Sequence, residues 1–175
     1  MALNCYLHDP VHRYTLASRD MSSVTEQPSL PLKKPVQASP DPGGGAPVTV
    51  LAVAAESDRA ALRRMIEHSR WTLMEASTVA EAAATLNECP SVVLICDTVL
   101  PDGTWIHLLE QTQNLPAPPP VIVTARQADD DFWMQVLNRG GYNVLGKPFS
   151  EREVFEMVSV AWRHRKDRVQ ARAAG

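Results

Sequence analysis

Cysteine is scarce in this chain of 175 residues. There are three, Cys5, Cys89 and Cys96, an odd number with no metal-like spacing, which argues against a disulfide framework or a cysteine-built metal site. A surplus of charge of one sign is also lacking. Seventeen Lys and Arg against twenty Asp and Glu leave a formal net charge of −3, so the global balance points to neither nucleic acid nor an anionic membrane. No apolar run approaches the roughly 20 residues of a membrane span. The N-terminus, with His8 and Asp9 among its polar residues, lacks the basic and apolar segments of a signal peptide. A cytoplasmic, soluble chain without a membrane partner is the expectation. What is present suffices for one core, since 45% of residues are hydrophobic and 21% charged.

Large apolar residues are sparse in residues 1–47, which hold half of the fourteen prolines and end in Pro40-Asp-Pro-Gly-Gly-Gly-Ala-Pro47. No period of two or 3.6 is sustained there. Such a segment buries too little surface to offset its ordering entropy, so 1–47 is expected to be a disordered extension or linker. Leu30-Pro-Leu-Lys-Lys-Pro35 within it is weighed as a short extended docking peptide, with a plain linker favoured. Met21 is an alternative start.

From Val48 the texture changes, and strand and helix patterns alternate. Val48–Ala54 is a continuous apolar strand. Ser57 or Asp58 is expected to cap a helix reaching about His68, with Leu62, Met65 and Ile66 at helical spacing. Trp71–Ala76 reads as a strand, and Val79–Glu88 as an Ala-rich helix ended by Pro90. The β-branched run Ser91–Cys96 stops at the carboxylate of Asp97, and Pro101-Asp-Gly103 breaks the backbone before a helix over 104–113. Val121-Ile-Val123 is a fourth strand ending at Thr124. A helix from Asp129 to Asn138 is closed by Arg139-Gly-Gly141, and Tyr142–Leu145 is a fifth strand. Ser150 with Glu153 three residues on reads as a capping box for the last helix. Trp105, Trp133 and Trp162 fall at apolar helical positions and read as core. His68, His107 and His164 read as surface or packing residues. Five strand–helix units imply an α/β fold, a five-stranded parallel sheet covered on both sides. The domain spans 48–166, about 120 residues, with a basic tail over 167–175. Arg163-His-Arg-Lys-Asp-Arg168 continues the last helix, where cations complement the macrodipole; a docking patch for an acidic surface is the alternative.

In such sheets chemistry gathers at the carboxyl ends of the strands. Asp97, Thr124 and Lys147 all fall there. A carboxylate can attack phosphorus, an ammonium can pair with the phosphoryl group, and a hydroxyl can donate to its oxygens. Pro148 fixes the backbone after the lysine, and the Lys147–Pro148 bond is a candidate for the cis form.

The ordered set Val92-Val-Leu-Ile-Cys-Asp97 with Leu100-Pro-Asp-Gly103, Val121-Ile-Val-Thr-Ala125 and Gly146-Lys-Pro-Phe149 resembles the receiver domain of bacterial response regulators over residues 48–166. The resemblance implies a flavodoxin-like, doubly wound fold, with Asp97 as phosphoacceptor, Thr124 as switch hydroxyl and Lys147 as phosphate-contacting lysine. It implies a sensor histidine kinase or another signalling protein as partner, phosphorelay signalling, and homodimerisation through the face of the fourth helix, fifth strand and fifth helix; with the sequence ending soon after Arg172, no enzymatic or DNA-binding domain is expected. The chain departs from the family in two places. The adjacent carboxylates that hold Mg²⁺ are replaced by Ala54 and Ala55, leaving Asp97, the Val99 carbonyl and the displaced Glu56 as candidate ligands, so Mg²⁺ binding is in doubt. The position three before the lysine is Val144, where receivers often carry an aromatic residue. Arg126 is expected either to lie over Asp97 or to point to solvent.

Three functions are therefore weighed. The first is a stand-alone, atypical receiver acting by protein–protein interaction, with a phosphorylation-independent form of it in view. The second is an ordinary Mg²⁺-dependent phosphoacceptor rescued by Glu56. The third, a flavodoxin-like enzyme or nucleotide binder, is disfavoured because Ala54-Ala-Glu-Ser-Asp58 contains no glycine to cradle a phosphate.

Overall fold

The computed structural model describes residues 48–89 and 92–174. The linker, the docking peptide, Met21, Cys5 and Pro90 lie outside them. The strands are β1 (Thr49–Val53), β2 (Thr72–Ala76), β3 (Val93–Asp97), the two-residue β4 (Val99–Leu100) and β5 (Gly103–Thr104), then β6 (Val121–Ala125) and β7 (Asn143–Gly146). The helices are α1 (Glu56–Ile66), α2 (Val79–Glu88), α3 (Trp105–Gln113), α4 (Asp130–Asn138) and α5 (Glu151–Ala173). The main sheet is parallel throughout, in the order β2-β1-β3-β6-β7. The fold is the doubly wound, flavodoxin-like one expected.

The apolar runs are continuous because both faces are covered, and alternate residues divide between two cores. Leu51, Val53, Leu94, Cys96, Val121 and Val123 pack with α2, α3 and Val136 of α4. Val50, Ala52, Val93, Ile95, Ile122 and Leu145 pack with Leu62 and Ile66 of α1 and with Val154, Val158 and Ala161 of α5.

Three local expectations are corrected. The N-cap of α1 is Ala55, without a side-chain hydrogen bond, and Ser57 and Asp58 lie inside the helix; Asp58 turns away to an ion pair with Lys147. Ser150 is the N-cap of α5 but makes no side-chain cap bond, so no capping box forms; Glu151 and Glu153 in the first turn still oppose the helix dipole. Trp105 is core, whereas Trp133 is 41% exposed, because its indole N–H donates to Asn143 Oδ1 (2.8 Å) at the surface between α4 and β7. As expected, the basic run 163–168 continues the last helix, and α5 extends to Ala173. Arg165 Nη2 donates to the Ala117 carbonyl (3.3 Å) and Arg172 Nη1 to that of Pro116 (3.0 Å), which hold its far end.

The turn after α4 follows the sequence. Gly140 adopts φ +94°, and the N–H groups of Gly140 and Gly141 bond Leu137 O and Val136 O, both at 2.9 Å, satisfying the last carbonyls of the helix.

Candidate functional site

Parallel pairing brings the three expected residues to one pole of the sheet. Asp97 ends β3 opposite Thr124 of β6. Lys147 follows β7 directly, and its N–H bonds the Ala125 carbonyl (2.9 Å). The Lys147–Pro148 peptide is cis. Three donors meet on Asp97 Oδ1: the Thr98 N–H at 3.0 Å, the Thr124 hydroxyl at 3.2 Å and Lys147 Nζ at 2.7 Å. Asp97 Oδ2 has no donor among the described residues. Thr124 is fully buried, so its hydroxyl has little freedom away from this carboxylate.

The second partner of Lys147 was not singled out from the sequence. Nζ also donates to Asp58 Oδ2, at 2.7 Å. Burial pulls the lysine's pKa down, but the bonds and charges of Asp58 and Asp97 outweigh it and raise it above the ordinary range. In the same strand, burial and then the Asp97 charge push the Cys96 thiol up, and its fully buried Sγ donates to the Asp97 carbonyl.

Glu56 faces elsewhere. Residues two apart on a helix lie on opposite sides, and Glu56 is held by the guanidinium of Arg59 and by Arg63 Nη2 (3.4 Å). These bonds, that of Arg59 first, keep its carboxyl below the usual range. Arg59 Nη1 in turn donates to the carbonyls of Ala54 (2.9 Å) and Ala76 (3.3 Å), across the ends of β1 and β2. Arg63 grips Glu75 with two bonds, 2.8 and 2.7 Å.

Beyond Asp97 the chain makes a short hairpin, in which Val99 pairs with Thr104 and Leu100 with Gly103. At its tip Asp102 accepts from Val79 N–H (2.7 Å) and Ala80 N–H (3.0 Å). Thr78 Oγ1 takes the Glu81 N–H (3.1 Å) and the Thr78 carbonyl takes that of Ala82 (3.1 Å), so the first four N–H groups of α2 are all satisfied. His107 has a structural task, its Nδ1 accepting the Thr104 N–H (3.1 Å) at the start of α3. Arg126 is exposed and is not among the groups that meet Asp97.

Residues 55–159 match the response regulator receiver domain family. The chain belongs to that family. It is 31% identical over 112 residues to the probable transcriptional regulatory protein TcrX of Mycobacterium tuberculosis, covering 63% of this chain and 47% of that protein; this chain thus spans about half the length of the curated relative it matches. Its fold superimposes on the signal receiver domain of an HD domain-containing protein from Pseudomonas fluorescens, with a TM-score of 0.62 at 22% identity over 71% of this chain and 92% of the other. The beryllofluoride-activated NtrC4 receiver domain, solved as a dimer in solution, gives 0.60 at 26% identity over 67% and 98%.

The resemblance implies Mg²⁺ beside Asp97, and the side chains as they stand do not fit it. Ala54 and Ala55 offer no side-chain donor, Glu56 is committed to two arginines, and Asp58 and Asp97 share one ammonium. Among the described residues no group of three or more His, Cys, Asp or Glu is placed to hold a metal. Receiver domains are generally signalling modules. No helix among the described residues is long and apolar enough to cross a membrane.

Proposed function

We propose that this receiver domain works in two-component signalling as a phosphorylation-independent interaction module, whose conformation is set by its own side chains. The observation that carries this is the Asp58–Lys147–Asp97 ion triad, with both N–O distances at 2.7 Å. An approaching phosphodonor is dianionic and would meet two carboxylates balanced by one ammonium. A divalent ion would normally offset that repulsion, and Ala54 and Ala55 supply nothing to hold one. The partner is a sensor histidine kinase or another signalling protein in the cytoplasm. It, or a second copy of the chain, meets the face of α4, β7 and α5, where Trp133 and Met134 are exposed. The domain plan that goes with this reading is a linker over 1–47 and a receiver from 48, its last helix continuing through the basic segment.

A second reading, that Asp97 is a working phosphoacceptor, is favoured by one feature. Its Oδ2 carries no donor among the described residues while Thr124 and Lys147 converge on Oδ1, which is the polarity a nucleophilic carboxylate needs. In that case Glu56 would have to leave Arg59 and Arg63 to serve a metal.

The test is exposure of the full chain to acetyl phosphate across a range of Mg²⁺ concentrations, read by intact mass, with Asp97→Asn as control. The expected result is no phosphoryl adduct at any concentration. A Mg²⁺-dependent adduct lost in Asp97→Asn would overturn the proposal and establish the second reading.

A further inference from the structure

The family resemblance accounts for Lys147 beside Asp97. It does not account for Asp58. This carboxylate is the third residue of α1 and reaches a lysine that follows the last strand of the sheet. The side chains of Lys147, Asp97 and Asp58 are only 14%, 15% and 24% exposed, so the triad is largely shielded from water and salt, and its geometry is held from three elements at once.

The surroundings sort the acids of α1. Glu56 lies toward β2, where Arg59 and Arg63 take it together with Glu75. Asp58, on the opposite side of the helix, lies toward the end of β7. Each acid has a cation, and the two sets do not exchange partners. An ammonium has three donors and no acceptor, and here two are spent on carboxylates from different elements. Two carboxylates gathered on one small cation is the task a divalent ion performs in a metal-dependent receiver.

We infer that Asp58 is a positioning residue that, with Asp97, seats the Lys147 ammonium as the site's permanent cation, so that a side chain of the protein stands in for the metal. The inference deepens the phosphorylation-independent reading and rests on it. The ammonium neutralises one of the two carboxylates and is tethered by its own backbone, so it cannot be diluted away or chelated. A divalent ion gains access to the two carboxylates only when the lysine is removed.

Two measurements on the full chain test this. The first is amine acetylation by an N-hydroxysuccinimide ester, followed at Lys147 by mass spectrometry, with exposed Lys166 as the internal standard. Asp58→Asn is expected to raise the rate at Lys147 several-fold and leave Lys166 unchanged, and Asp58→Glu to return it toward wild type. Equal Lys147 rates in wild type and Asp58→Asn would overturn the inference. The second is Mn²⁺ binding by electron paramagnetic resonance. Lys147→Met is expected to bind at least about tenfold more tightly than wild type, because two carboxylates suffice for a weak oxygen site, and Lys147→Met/Asp58→Asn to lose that gain. A gain that survives Asp58→Asn, or no gain, would overturn it. An acetyl phosphate adduct on the wild type would remove the phosphorylation-independent reading without altering either result. Unchanged acetylation would remove Asp58's role and leave that reading standing.

Discussion

Restoring an acid at Ala55 is expected to stabilise the domain, and restoring one at Ala54 to destabilise it. Ala55 occupies the N-cap of α1 with φ −60° and ψ 154°, a backbone suited to a capping side chain that alanine cannot supply. Its carbonyl already accepts the N–H groups of Asp58 (3.0 Å) and Arg59 (3.1 Å), so the frame of the cap is built. In Ala55→Asp a carboxylate comes within reach of the Ser57 and Asp58 N–H groups at the positive end of the helix dipole. Such a cap contributes about 1 kcal/mol, and Ala55 is exposed, so desolvation takes little back. Repulsion from Glu56 and Asp58 subtracts a few tenths, about the size of a like-charge helical pair. The net gain of roughly 0.5–1 kcal/mol raises Tm by about 2–6 °C for a domain of this size. Ala54 is 1% exposed, and Ala54→Asp puts a carboxylate inside the sheet's end at a cost of about 1–3 kcal/mol unless Arg59 leaves its carbonyls to pair with it. Thermal melts of both variants in chelator-treated buffer decide the matter. A Tm for Ala55→Asp at or below wild type, or an Ala54→Asp variant as stable as wild type, would refute the reasoning.

At the end of α4, Gly141→Ala would place a Cβ 2.5 Å from Val136 Cγ1 and 2.9 Å from its carbonyl oxygen; the expected cost is about 1–3 kcal/mol, seen as a lower urea midpoint at unchanged slope. Asp102 is held below the usual carboxyl range by the Val79 and Ala80 N–H groups. A group depressed in the folded state contributes its stability above its unfolded pKa, about 3.9, and loses it as pH falls through the lower folded value. The stability gap between wild type and Asp102→Asn should therefore be constant above about pH 5 and shrink below about pH 4; a gap that does not vary with pH would refute the assignment of this cap.

Where a sequence signal and a single physical cause coincided, the fold was legible. β1, β3 and β6 announce themselves because strands buried on both faces must be apolar at every position, and Gly140-Gly141 marks the end of α4 because its turn needs φ above zero. The pole where Asp97, Thr124 and Lys147 meet followed from parallel topology alone. What escaped is long-range and polar. Asp58 looked like a helix cap because short polar residues at a helix start usually are; its partner lies at the far end of the sequence, and no local period records it. Asp102 was read as a turn breaker, while its carboxylate caps a helix that begins more than twenty residues earlier. Trp133 has core spacing, yet one hydrogen bond to Asn143 keeps it at the surface. Closer in sequence, Glu56, weighed as a metal ligand, is paired with Arg59 and Arg63, one and two turns along.

The length of α5 ties together regions that the sheet keeps apart. The helix starts four residues after Lys147 and, at 1.5 Å per residue, extends on the order of 34 Å to the opposite pole, where Arg165 and Arg172 clasp the carbonyls of Ala117 and Pro116. A rod of that length turns a tilt of about 4° at its near end into a displacement of about 2 Å at its far end. One continuous helix therefore reaches from just after Lys147 to the loop before β6, so any tilt at its start would be carried to a surface remote from Asp97.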